Sequence, residues 1–232
     1  MEGRDEAPWN LTDLPRGGNE YFDELAAAKG RSTSNWEMCE IAFSRLFAVA
    51  VRSHCEDIEA AKAYGEAQNF KGRLSALERV MERHFRTHCN QTLEGDFEDL
   101  TALARNFSLR RNEVVHSVIR PVMYERSYQK LPDGDQWTSK YRFFLVPPDY
   151  TARKFDKDKR PLFIYTSQEV NYFGAWFSFI PVASDSLARR MMGWKHAMPY
   201  GRKHSEPPTL PCMEQYREVP SGWSLPRRPS PL

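Results

Sequence analysis

Between Ser34 and Val118 the apolar residues recur three or four positions apart in four successive stretches. That spacing lays one apolar stripe along an α-helix and is incompatible with a strand, whose faces alternate every second residue. In the first stretch Ile41, Ala42, Leu46, Val49 and Ala50 carry the stripe, behind Ser34-Asn35-Trp36-Glu37. Ser34 and Glu37 have the spacing of a capping box, which predicts a helix of about five turns ending near His54. A short helix is expected over Asp57–Ala67 and a third over Phe70–His88, striped by Leu74, Leu77, Met81 and Phe85. A fourth is expected from about Asp96, through Phe97, Leu100, Leu103, Ala104 and Phe107. It kinks near Ser108, continues through Val114, Val115 and Val118, and is bounded by Pro121, because proline disfavours helix in the residue before it. Such helices with short connections make a bundle.

After Pro132 the character changes. Tyr141–Val146 and Leu162–Tyr165 are aromatic and β-branched, with Asp156–Lys159 between them suited to a turn, so a small β-hairpin is predicted. Thr166-Ser167-Gln168-Glu169 repeats the capping-box pattern and opens an aromatic-rich helix through Tyr172, Phe173, Trp176, Phe177 and Ile180. Pro181 is expected to interrupt it, with Leu187–Trp194 as a continuation. The fold class is therefore mainly α: a helical bundle, a β-hairpin and a C-terminal helix. The division along the chain is a loose arm over 1–33, a bundle over 34–122, the hairpin and aromatic helix over 123–193, and a tail over 194–232. The tail holds eight of the sixteen prolines and a local charge of +3, too little apolar surface to order itself. Arg227-Arg228-Pro229-Ser230-Pro231 within it has the make-up of a segment that docks on a partner or an acidic surface, though an uninvolved solvated end explains it more simply.

Charge excludes one class of function. With 33 Lys and Arg against 31 Asp and Glu the net charge is +2, so no global field draws in nucleic acid and any such contact must be local. The four cysteines, Cys39, Cys55, Cys89 and Cys212, are widely spaced and fit a reducing compartment better than a disulfide framework. Met1–Glu6 lacks the pattern of a secretory signal, and the most apolar stretches fall short of the roughly 20 residues a bilayer span needs. The expectation is a soluble, cytoplasmic protein without membrane contact.

His84 and His88 stand at i, i+4 beside Cys89, but a third metal ligand would have to come from elsewhere, and the intervening Phe85-Arg86-Thr87 does not make a zinc-protease pattern. No metal site is assigned. The aromatics Tyr165, Tyr172, Phe173, Trp176, Phe177 and Phe179 have base-stacking chemistry, but their helical spacing is that of core packing.

One segment gathers reactive side chains: Leu109-Arg110-Arg111-Asn112-Glu113-Val114-Val115-His116-Ser117. On a regular helix Arg111 and His116 lie about 140° apart and share no face. They meet only if the helix is irregular there, or if two copies of the chain present them to a shared cleft. The segment resembles the Arg-x4-6-His motif of HEPN-domain proteins, in which Asn, Asp or His follows the arginine; here that residue is Asn112. The helical block from Trp36 to Val122 is similar in kind. The Phe144–Pro148 and Pro161–Ser167 stretches resemble a group of uncharacterised bacterial proteins that carry such a block.

The resemblance implies a homodimeric endoribonuclease acting without metal or cofactor, with RNA as substrate, in a toxin or phage-defence setting where an antitoxin protein is a partner. The ribose 2′-OH attacks the adjacent phosphorus. His116 is the implied acid/base, since an imidazole pKa of about 6.5 leaves both forms available near neutrality. Arg111 is the implied stabiliser of the pentavalent phosphorus, through permanent charge and a two-pronged donor. Asn112 positions, and Arg110 offers a second phosphate contact. The competing reading is a non-catalytic binding or scaffold module, for which His116 would be buried and Arg111 paired locally, for instance with Glu113.

Overall fold

The computed structural model describes residues 17–51, 57–131, 134–157 and 161–193, with backbone only over most of 124–138. The chain is mainly helical, with five α-helices and one two-stranded antiparallel hairpin: α1 (Phe22–Ala50), α2 (Ile58–Gly65), α3 (Phe70–Thr87), α4 (Gln91–Val115), β1 (Val118–Leu131), β2 (Gly134–Val146) and α5 (Ser167–Met191). Residues 1–16 and the tail from 194 lie outside the described residues.

The helix starts follow local capping chemistry. The Asp57 carboxylate accepts from the Glu59 and Ala60 amides, Asn69 Oδ1 from Gly72, and Asn90 Oδ1 from Leu93, so α2, α3 and α4 each begin where a side chain takes up otherwise unpaired N–H groups. Of the box predicted at Thr166, the half made by Glu169 is present: its carboxylate accepts from the Thr166 amide at 2.6 Å, and the Thr166 hydroxyl also donates to it, at 2.8 Å. Leu74, Leu77, Met81 and Phe85 are all buried on α3, as their spacing requires.

Four expectations need correction, the last of them in α5. The first helix begins at Phe22, so residues 22–33 are helical rather than a loose arm, and Ser34 lies mid-helix. The buried stripe starts with Leu25, Ala28 and Ser32, of which only Leu25 is strongly apolar, too little to register as apolar periodicity. Ile41, read as part of that stripe, is 44% exposed.

Secondly, α4 starts five residues early at Gln91, runs unbroken past Ser108 and ends at Val115; Val118 is already strand. Pro121 sits inside β1 opposite Phe143. It is tolerated because Phe143 exchanges both its backbone hydrogen bonds with Asn19, on the other side of β2, at 2.9 and 2.8 Å. Pro121 therefore occupies a position where no ladder donor is required.

Thirdly, the hairpin pairs 118–131 with 134–146, and Leu162–Tyr165 contributes only the bridge Leu145↔Tyr165. Phe163, Ile164 and Tyr165 satisfy their apolar character by burial instead of by strand pairing.

Contacts divide the chain into two compact units. One takes the described residues of 17–31 and 112–172, the other those of 32–111 and 173–193. In the first, Leu25, Ala28, Val114, Leu145, Phe163, Tyr165 and Val170 form the core. Gly18, at φ +60°, crosses β2 so closely that a Cβ there would lie 2.6 Å from the Phe144 ring and 2.7 Å from Arg142 Cβ, so only glycine fits.

The second unit is a helical bundle around an aromatic centre. Trp36 packs edge-on against Phe70 and Phe177, and Phe107 meets Phe173, Trp176 and Phe177. Here α5 passes through Pro181 without a break, contrary to expectation. Proline cannot donate to the carbonyl four residues back, which is Phe177. The Cys39 thiol donates to that carbonyl instead, at 2.9 Å. Asn35 Nδ2 donates to the Gly174 carbonyl and Ser184 Oγ to that of Ala42, so α1 and α5 are laced side chain to backbone at close approach. Among the described residues no helix is long and apolar enough to cross a membrane.

Candidate functional site

The segment singled out in the sequence forms the last two turns of α4. Arg110 and Arg111 close one unit's share of the helix, and Asn112 to His116 belong to the other. The helix keeps its regular hydrogen bonding to the end: the His116 amide donates to the Asn112 carbonyl at 3.2 Å, four residues back. The irregular helix that would have brought Arg111 and His116 onto one face is thus not formed.

Each side chain has a distinct setting. His116 and Asn112 are exposed, while Arg110, Arg111 and Glu113 are half-buried. Arg111 Nη2 lies 3.5 Å from Oε1 of Glu37 on α1, whose own side chain is 58% exposed. A pair that long, with its carboxylate open to water, contributes under about 1 kcal/mol. Glu113 is taken by Tyr165, whose buried phenol donates to Oε2. His116 is exposed, where the scaffold reading would have it buried.

The end of α4 is held from α1. Lys29 Nζ donates to the Ser117 carbonyl at 2.6 Å, and Ser117 Oγ donates to the carbonyl of Val114. A cation at a helix C-terminus is favourable, because the last carbonyls carry partial negative charge. Partial burial lowers the Lys29 ammonium pKa from its ordinary value. That Lys29, Glu37 and Tyr165 meet this segment is not legible in the sequence, because they lie between 52 and 88 residues from their partners. Glu37 in particular had been read as a capping residue. No local spacing encodes these pairings.

The other candidates resolve simply. The His84 and His88 rings stack at 4.7 Å, and among the described residues no group of three His, Cys, Asp or Glu side chains is arranged to hold a metal. Tyr165, Phe173, Trp176 and Phe177 are core. A shallow cavity of about 540 Å³ opens between Ile41, Ser44, Arg45, Asp57, Ile58, Ala61 and Lys62, and none of the motif residues lines it. No protein-family model matches the chain, and no curated protein or solved structure is significantly similar to it.

Proposed function

We propose that this protein is a metal-independent endoribonuclease of HEPN type, acting as a homodimer in the cytoplasm, in a toxin or phage-defence setting with an antitoxin protein as partner. The observation that carries the reading is the exposure of His116 at the end of a regular α4, with Arg111 five residues before it and its pair with Glu37 long. An imidazole must reach solvent to move protons to and from an RNA ribose. A guanidinium meant for phosphate must be able to leave its resting partner.

In this reading His116 takes the 2′-OH proton or delivers one to the departing 5′ oxygen. Arg111 supports the charge that builds on the phosphorus oxygens, and Asn112, exposed one residue on, orients the phosphate. Arg110 adds a second cation. Because α4 is regular, two copies are required to bring an arginine and a histidine to one phosphate. The Glu37 and Tyr165 contacts favour a second reading, a binding or scaffold module in which the polar residues of α4 serve only its own chain.

The test is cleavage of diverse RNAs by the purified protein in EDTA, with wild type beside Arg111→Ala and His116→Ala. The expected outcome is product with 2′,3′-cyclic phosphate ends, reduced by a factor of at least about 100 in each variant. Folded variants indistinguishable from a wild type that cuts nothing would leave the scaffold reading standing alone.

A further inference from the structure

A net charge of +2 on 232 residues requires that any RNA be gripped locally, and the hairpin gathers cations on one of its faces. Residues directly opposite in an antiparallel pair project to the same side, as do residues two apart along a strand. The register pairs Arg120 with Phe144, Val122 with Arg142 and Glu125 with Lys140, so one acidic position stands among the cations. Arg120, Lys140 and Arg142 therefore share a face, while Met123 and Tyr141 share the opposite one.

Lys140 is exposed, and Arg120 and Arg142 keep 44% and 32% of their side chains in water. Two exposed carboxylates pair with the arginines: Asp149 with Arg120, and Glu20 at 3.7 Å with Arg142. Pairs this open are weak and exchangeable. The Gly18 crossing lies against Arg142 Cβ, so the backbone covers the root of that side chain while its guanidinium still reaches solvent.

Lys140 and Arg142 stand about 6.8 Å apart along the strand, at 3.4 Å per residue. That is close to the separation of successive phosphates in an extended nucleic-acid strand. Arg120, across the hairpin, follows His116 by only four residues.

We propose that Arg120, Lys140 and Arg142 form a phosphate track that holds single-stranded RNA beside the His116 end of α4. The inference rests on the ribonuclease reading for the identity of its ligand. Its grip is electrostatic and indifferent to base sequence, since cations that meet phosphates carry no base information. Each phosphate engaged releases counterions, which makes the affinity fall with salt in proportion to the number of contacts.

The experiment measures binding of the full chain carrying His116→Ala, so that RNA is not consumed, to a labelled oligouridine of about 12 nucleotides across a salt series. On a single strand each contact contributes about 0.7 to the slope of log affinity against log salt, so Arg120→Gln, Lys140→Gln and Arg142→Gln together flatten it by about 2. Each single variant flattens it by about 0.7, which keeps the test usable if the triple variant fails to fold. Arg153→Gln with Lys154→Gln, cations outside the two strands, leaves the slope as it was.

An unchanged slope in the folded triple variant overturns the track. So does an affinity carried by the opposite face, lost in Tyr141→Ala with the slope intact, and so does failure to bind RNA at low salt. The two readings fail separately. A wild type that never cleaves, but whose binding slope flattens as stated, keeps the track and sinks the ribonuclease. Cleavage that depends on Arg111 and His116, with a slope indifferent to the triple change, does the reverse.

Discussion

Glu40 lies on α1 with 9% of its surface exposed, and three side-chain donors meet it there: Arg73 Nε and Nη2 at 2.9 and 2.7 Å, and the Tyr64 hydroxyl at 3.1 Å. A carboxylate so nearly buried is sustained only because its oxygens are satisfied by a forked cation and a phenol. The cluster ties α1, α2 and α3 at one point. It also leaves a mark on alkaline stability. Burial, and after it the negative charge of Glu40, push the Tyr64 phenol well above its ordinary range, while an unfolded tyrosine ionises near pH 10. The raised group keeps its proton in the folded state after the unfolded chain has lost it. Its contribution is therefore complete below about pH 10 and is lost as pH rises above that. Urea unfolding at pH 8 and pH 11 should show wild type losing about 1 kcal/mol more than Tyr64→Phe over that interval. Equal losses would show that Tyr64 ionises alike in both states. None of this could be seen in the sequence, where Glu40, Tyr64 and Arg73 read as polar residues at unremarkable places on three separate helices.

Among the elements, α5 shows how a local rule is met by a distant residue. Pro181 predicts a break, and the helix instead continues for ten residues beyond it. The carbonyl that proline orphans is capped by Cys39, whose thiol stays protonated because burial, and next the charge of Glu40, raise its pKa. A double-mutant cycle tests this account. Cys39→Ala alone should cost about 1–3 kcal/mol, since a buried carbonyl loses its donor. In a Pro181→Ala background residue 181 regains an N–H for Phe177, and the cost should shrink by about 1 kcal/mol. Strictly additive effects would mean the thiol only fills space. The capping box at Thr166 is the contrary case, a boundary readable in advance because both partners lie three residues apart. Glu169 is 3% exposed, so Glu169→Ala leaves the Thr166 amide buried without its acceptor. The expected loss is about 1–2 kcal/mol by thermal or urea unfolding, largely restored in Glu169→Gln. A loss in the alanine variant within error of zero would show that water replaces the box.

At the scale of the whole molecule the two units interleave along the chain, each drawing residues from α1, α4 and α5. The α4 motif crosses that division between Arg111 and Asn112. The proposed chemistry adds a second molecule, and this too is open to measurement. If two copies share each cleft, mixing the inactive Arg111→Ala and His116→Ala proteins should restore part of the RNA cleavage, because mixed dimers contain one cleft with an intact arginine and an intact histidine. Wild type should then sediment at twice the 27.1 kDa of the chain. An active wild type that runs as a monomer, with no recovery on mixing, would place the whole reaction within one chain.

The sequence by itself determined the helical class, the run of α2 and α3, the buried stripe of α3, the start of α5 and the aromatic centre. Each of these depends on residues within a few positions of one another, where periodicity and capping act directly. It also singled out Arg111, Asn112 and His116 as one cluster of reactive side chains. Only the tertiary structure decided what depends on contacts across long stretches of chain. Leu25 and Ala28 extend α1 backwards because burial against distant residues outweighs a weak local signal. Val118–Val122 become strand rather than helix because β2 offers a partner for the ladder. Pro121 and Pro181 sit inside regular elements because Asn19 and Cys39 arrange the backbone bonding around them. The same physics separates the motif from its setting: spacing names the arginine and the histidine, but only folding brings Glu37 to Arg111, Lys29 to the Ser117 carbonyl and Tyr165 to Glu113, and leaves His116 exposed.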